Sequence, residues 1–127
     1  MSASAMSAEP TKCLLIVDDR PEILRSVKRF MAPLFRHVLV ASTPEEAEAH
    51  LRSAAPEVLL CDYWLGPDLP TGTELISRWR VEFPCLRRLV LMTGTKPSGL
   101  LGTEHADRVF EKLLDMPALK AFLLGGA

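Results

Sequence analysis

Residues that can hold a cation and a phosphoryl group follow four of the short apolar runs in this sequence. Asp18 and Asp19 follow the run CLLIV, and Asp62 follows the run VLLC. Thr93 follows LVLM, and Lys112 comes two positions after the short pair VF. Carboxylates, a hydroxyl and an ammonium are the groups from which proteins build sites for a hard cation and a phosphoryl group. The chemistry depends on whether the fold brings these positions together.

The three acids predict a Mg2+ site. Carboxylates held within a few ångströms repel one another and raise one another's pKa unless a cation lies between them. Mg2+ prefers oxygen ligands, typically one or two carboxylates together with waters and phosphate oxygens. We expect Asp19 and Asp62 to be direct ligands, Asp18 to act through a water, and the backbone carbonyl of Trp64 to complete the set.

The remaining groups suit phosphoryl transfer to Asp62. A phosphoryl group in transfer needs positioning and charge stabilisation more than a strong nucleophile. Lys112 would supply a compact positive charge, and the Thr93 hydroxyl would donate a hydrogen bond to another phosphoryl oxygen. We therefore take Asp62 as the phosphoacceptor.

Each of these residues has an ordinary structural explanation when it is taken alone. Two adjacent aspartates after a strand commonly form an Asx turn or a helix cap. Asp62 could be a turn residue, Thr93 a hydroxyl at the edge of the core, and Lys112 a solvated side chain. The aspartate pair, Asp62, Thr93 and Lys112 all occur in order at the ends of predicted strands, and this joint occurrence favours a site for a cation and a phosphoryl group.

The elements that must position these residues alternate along the chain. Runs that are apolar on both faces predict parallel strands covered by helices, and the amphipathic stretches between them predict the helices. We expect an α/β fold, a doubly wound five-stranded parallel sheet of flavodoxin-like order 2-1-3-4-5. Its ligand crevice lies at the carboxyl ends of the strands. The predicted strands are 13–17, 37–41, 58–61, 89–92 and 109–110, and the segment KPSGLLGTEHAD predicts a short or irregular fourth helix.

Local signals place the helices between these strands. Pro21 begins the first helix, whose apolar face is Ile23, Leu24, Val27, Phe30, Met31 and Leu34. Ser42 or Thr43 caps the second, which has a thin apolar face of Ala47, Leu51 and Ala54. The third presents Leu75, Ile76, Trp79 and Phe83, and the last runs from about Pro117 to Leu124 behind the cap Asp115.

Length and composition limit the classes of protein to which this chain can belong. A chain of 127 residues with 48% hydrophobic and 24% charged residues fits one globular domain. The net charge of −1 gives no basic face for nucleic acid, and no apolar run approaches the ~20 residues needed to cross a bilayer. We expect residues 1–11 to be a disordered leader and residues 12–127 to form the domain. Three cysteines without metal-ligand spacing suit a reducing cytoplasm.

From Lys12 to about Leu124 the chain resembles the receiver domain of two-component response regulators, in its single-domain form. The resemblance rests on LLIVDDRPEI, VLLCDYWLGPDLPTGTELI, LVLMTG and VFEK. It implies Mg2+-dependent transfer of a phosphoryl group to Asp62 from a sensor histidine kinase or a histidine phosphotransfer protein. It also implies slow self-catalysed hydrolysis, a switch in the binding of a downstream protein target, and no enzyme activity on other substrates.

The chain departs from the family pattern near Lys112. Leu113 stands where the family usually has proline, and Val109 stands where it has an aromatic residue. Phe110 is aromatic but one position along, which on a strand points it to the opposite face. These departures keep open a pseudo-receiver, a protein-interaction module that is not phosphorylated. A metal-dependent phosphatase is a third reading, but such enzymes typically carry a D-x-D motif after the first strand.

Overall fold

The computed structural model describes residues 12–94, 102–112 and 115–125. They form a parallel sheet of five strands in the order 2-1-3-4-5, as the sequence predicts. The strands are β1 (Cys13–Val17), β2 (His37–Ala41), β3 (Val58–Asp62), β4 (Arg88–Thr93) and β5 (Arg108–Glu111). The helices are α1 (Pro21–Met31), α2 (Pro44–Ala54), α3 (Gly72–Glu82) and α4 (Met116–Leu123).

The central strands are apolar on both faces because helices cover the sheet on both sides. Every residue of β1 and β3 is buried. Alternate residues of these strands enter two separate cores. One core lies under α2 and α3 and is centred on Trp79, and the other lies under α1 and α4 and includes Met31.

Side-chain caps fix where three of the helices begin, and therefore where the preceding loops end. The hydroxyl of Thr43 accepts a hydrogen bond from the backbone of Glu46 at the start of α2. Thr71 and Glu74 form a capping box at the start of α3, and Asp115 caps α4. The caps at Thr43 and Asp115 were predicted from the sequence.

Two predicted apolar faces are partly wrong. Phe30 is exposed at 37% because it lies at the rim of α1, outside the stripe that Val27 and Met31 bury. Ala54 is exposed at the last position of α2, so that helix buries only Pro44, Ala47 and Leu51.

The expected short fourth helix corresponds, within the described residues, to one turn of 3-10 helix at Thr103–His105. Arg80 of α3 holds this turn by donating to the carbonyl of His105 at 2.8 and 3.1 Å. Residues 95–101, Leu113 and the predicted leader, residues 1–11, lie outside the described residues. In the part of the chain that is described, no helix is long and apolar enough to span a membrane.

Candidate functional site

The carboxyl ends of β1 and β3 bring three acids together. Oxygen atoms of Asp18, Asp19 and Asp62 lie within 4.8 Å of one another. Asp18 is completely buried and Asp62 is 4% exposed, whereas Asp19 is open to solvent. The sequence-predicted cluster of acids is therefore present, at the point where the order of the strands reverses.

Lys112 reaches this cluster from the end of β5. Its Nζ atom lies 2.9 Å from Oδ2 of Asp18 and 3.2 Å from Oδ2 of Asp62. The backbone sets this position, because the N–H of Lys112 donates to the carbonyl of Thr93 at 2.7 Å. Sequence reasoning placed Lys112 beside the phosphoryl group and missed its close ion pair with Asp18.

The charges at the site are unbalanced. Burial and the Asp18 carboxylate raise the pKa of Asp62 to about 6, against the opposing effects of Lys112 and of the Trp64 backbone N–H. Burial disfavours the charge on Lys112, but Asp18 and Asp62 outweigh burial and raise the pKa of Lys112. One ammonium therefore faces three carboxylates, and the carboxylate of Asp62 is left under-stabilised.

The donor set fits a hard divalent cation. All three side chains offer carboxylate oxygens, which Mg2+ prefers. Oδ1 of Asp18 accepts the backbone N–H of Arg20 at 2.9 Å, so Asp18 also makes the Asx turn that its position allows. Its buried Oδ2 accepts no well-aligned hydrogen bond from the described residues, and the Lys112 contact at 2.9 Å serves it as an ion pair. The acids thus have charge and acceptor capacity left for a cation.

Thr93 ends β4 beside the acids and is 2% exposed. Its neighbour in the sheet register is Glu111, and the residue before it, Met92, pairs with Asp62. This register brings Thr93 to the same edge as Asp62 and Lys112, as the sequence predicts. The proposed hydrogen bond from its hydroxyl to a phosphoryl oxygen stays a prediction.

Gly72 fixes the loop that follows Asp62, and sequence reasoning missed it. Its N–H donates to the carbonyl of Tyr63 at 2.7 Å, which closes the loop. A Cβ atom on Gly72 would collide with the carbonyl oxygen of Asp62 and lie 2.9 Å from Cδ2 of Leu91. A glycine at the first position of a helix, where it is a poor helix former, is the signal that could have revealed this close approach.

Trp64 lies two residues after Asp62 and is 55% exposed. Its backbone N–H bonds the Asp62 carboxylate and thereby favours the charged form. The predicted role of its carbonyl as a metal ligand stays a prediction.

The aromatic residue of β5 faces away from the core that lies under α3. Phe110 is 8% exposed and packs in the core under α1 and α4, where its ring meets Phe122 edge-on at 6.3 Å. Val109 packs against the opposite core. The prediction that Phe110 points to the other face is confirmed.

Neither a protein-family model nor a curated protein sequence matches this chain. Solved structures do match it. A CheY-like response regulator receiver domain protein from Methanospirillum hungatei is 28% identical, with a TM-score of 0.74 over 86% of this chain and 87% of that one.

Two further structures have the same fold. The BeF3-activated DrrB receiver domain is 25% identical, with a TM-score of 0.73 over 88% of this chain and 93% of that one. The N-terminal signal receiver domain of a Bacteroides fragilis response regulator is 24% identical, with a TM-score of 0.76 over 90% and 94% of the two chains.

Proposed function

We propose that this chain, whose structural neighbours over most of its length are response regulator receiver domains, takes a phosphoryl group on Asp62. The receiver fold supports a response regulator role. The proposal that Asp62 accepts the phosphoryl group rests on its position, since its carboxylate lies close to two other carboxylates and to the ammonium of Lys112.

The proposed reaction is an in-line displacement at phosphorus. A carboxylate oxygen of Asp62 forms the new O–P bond while the bond from phosphorus to the donor nitrogen breaks. The imidazole of the donor histidine leaves with the electron pair of that bond and takes up a proton. Lys112 lies where it can contact the phosphoryl oxygens, and the buried Thr93 lies at the adjacent strand end.

The residues that would hold Mg2+ are Asp19 and Asp62 directly and Asp18 through a water, with the Trp64 carbonyl as a further ligand. When bound, the cation would neutralise charge on the carboxylates and on the phosphoryl oxygens. The exposure of Asp19 supports a site open to solvent. Mg2+ typically keeps several waters, and an open site allows that.

The partners follow from the proposed chemistry. We propose that a sensor histidine kinase or a histidine phosphotransfer protein is the donor, as two-component signalling implies. The phosphoryl group carries about −1.5 to −2 charges where the Asp62 carboxylate carried −1, and the added negative charge beside Asp18 and Asp19 biases the surrounding loops toward a second packing that a downstream protein target can distinguish. The chain would act on no other substrate and would hydrolyse its own acyl phosphate slowly.

The test is incubation with Mg2+ and a small phosphodonor such as phosphoramidate, followed by intact-protein mass spectrometry. We expect the mass of one phosphoryl group to be added, and hydroxylamine to remove it as it does from acyl phosphates. Asp62→Asn should abolish the gain, while Asp68→Asn, a change at an exposed acid of the same loop, should leave it intact.

One observation favours a second candidate, a protein-interaction module that is never phosphorylated. Val109 stands on the face of β5 where receivers carry an aromatic residue, and Phe110 packs in the core on the opposite face. If the mass gain is absent with wild-type protein while Mg2+ binds, the interaction module is the better description.

A further inference from the structure

Two arginines converge on one aromatic ring at the end of the sheet opposite the acids. The guanidinium carbon of Arg88 lies 4.7 Å from the centre of the Phe122 ring, and that of Arg108 lies 5.4 Å from it. Arg108 also lies 4.7 Å from the ring of Phe110. Arg88 and Arg108 begin β4 and β5, whereas Asp62 and Thr93 end their strands.

The sheet register makes the convergence a property of the backbone. Arg108 pairs with Val90, two residues after Arg88, so the two arginines are diagonal neighbours on the same face. Phe122, from α4, packs over that face. The register therefore brings the two arginines to the same face of neighbouring strands, under the same ring.

The two positive charges have no acidic partner in residues 12–94, 102–112 and 115–125. The ion pairs of this part of the chain involve Arg78, Arg80, His105 and Lys112, and neither Arg88 nor Arg108. Like charges held close together repel. A bound anion would remove that repulsion.

Neither side chain makes a hydrogen bond or ion pair with another of the described residues, so the N–H donors of both groups are available. Phe122 and Phe110 restrict the motion of the groups, so a ligand would lose little further side-chain freedom. Arg108 is exposed and Arg88 is partly exposed, which leaves a path for a ligand.

We propose that Arg88 and Arg108 form a binding site for an oxyanion, a phosphate or carboxylate group, at the end of the sheet opposite Asp62. Guanidinium groups bind both groups through paired N–H donors. The site is separate from the proposed phosphorylation and does not depend on it. A free phosphate compound and the carboxylate of an acidic peptide share this recognition chemistry, and the probes of the test distinguish them.

The test is a nuclear magnetic resonance titration of the whole chain at constant ionic strength, with divalent cations removed by chelation. Inorganic phosphate is the first probe, and acetate and a short glutamate-rich peptide are the second and third. We expect saturable shifts of the Arg88 and Arg108 side-chain N–H signals with phosphate or with the carboxylate probes, and the tighter-binding probe identifies the source of the ligand.

Lysine variants test whether binding needs the planar set of N–H donors of arginine or only its positive charge. Arg88→Lys and Arg108→Lys keep the charge but lose the planar fork, and each should weaken binding about tenfold. Arg87→Lys is the matched control, since Arg87 is exposed, adjacent in sequence and stacked on neither ring. Asp62→Asn should bind as the wild type does, which keeps this outcome distinct from that of the phosphorylation experiment.

Two results would overturn the proposal. One is shifts that grow without saturation for every anion, chloride included, which would mean general screening only. The other is an equal loss of affinity in Arg87→Lys and Arg108→Lys. Thermal unfolding of each variant would check that the fold is retained.

Discussion

The Nζ atom of Lys112 lies 3.2 Å from Oδ2 of Asp62 and is also paired with a second acid, Asp18, at 2.9 Å. The side chain of Lys112 is 15% exposed and that of Asp18 is fully buried. Lys112 is therefore the counterion of a buried carboxylate as well as a candidate ligand for a phosphoryl group. Adding Mg2+ separates these two roles, because the cation can neutralise the carboxylates in place of Lys112.

Lys112→Ala should lower the free energy of unfolding in metal-free buffer by about 3 kcal/mol, because removing one partner leaves a buried charge uncompensated. Mg2+ should recover most of that loss, since the cation can then neutralise the carboxylates. Urea unfolding with and without Mg2+ measures both effects. Lys120→Ala, at an exposed lysine of α4, is the control. An equal loss with and without Mg2+ would contradict the assignment of Lys112 as the counterion.

The raised pKa of Asp62 predicts an unusual dependence of stability on pH. The folded state holds a proton on Asp62 up to about pH 6, whereas the unfolded state releases it near its ordinary pKa of 3.8. The folded state binds more protons at Asp62 in this window, so the contribution of Asp62 to the free energy of unfolding falls as the pH rises from 3.8 to 6. Above this window the contribution of Asp62 is unfavourable by on the order of 2–3 kcal/mol.

Asp62→Asn should remove this slope and stabilise the metal-free protein at neutral pH. Chemical unfolding in chelator at several pH values between 4 and 8 is the measurement. Asp68→Asn keeps the same change of side chain at an exposed loop position and should follow the wild-type curve. If the stability difference between Asp62→Asn and the wild type does not grow as the pH rises through this window, the pKa of Asp62 is not raised.

The sequence predicted the strands and the gathering of acids because both depend on local patterns. Each central strand is apolar on both faces and ends on the residue that enters the crevice, so the end of the apolar run locates Asp62 and Thr93. The sequence could not reveal which carboxylate Lys112 pairs with, because that choice depends on distances of a few tenths of an ångström. Nor could it predict the Arg80 contact with the 103–105 turn, which joins positions far apart in the chain.

Gly72 tests how tightly the loop after Asp62 is constrained. Gly72→Ala improves helix propensity by about 1 kcal/mol, yet the added methyl group collides with the carbonyl of Asp62. We expect a net loss of about 2 kcal/mol in unfolding free energy, because the end of β3 must move. Urea unfolding of both proteins measures it.

The matched control is Gly94→Ala, where a Cβ atom would meet nothing within 4 Å. It should leave stability close to that of the wild type. If Gly72→Ala is as stable as Gly94→Ala, the loop has more room than the structure gives it. Phosphorylation of Gly72→Ala from a small donor should also be slower than in the wild type, because the carboxylate of Asp62 is displaced.

Trp64 should report cation binding through its fluorescence. Its backbone N–H bonds the Asp62 carboxylate and the residue is 55% exposed, so a cation at Asp62 changes the environment of an exposed fluorophore. The second tryptophan, Trp79, is fully buried and donates its indole N–H to Glu48 at 2.9 Å, away from the acids. We expect a saturable change in emission on titration with Mg2+ that is lost in Trp64→Phe and in Asp62→Asn. A change that survives in Trp64→Phe would assign the signal to Trp79 and mean that the cation alters the core under α3.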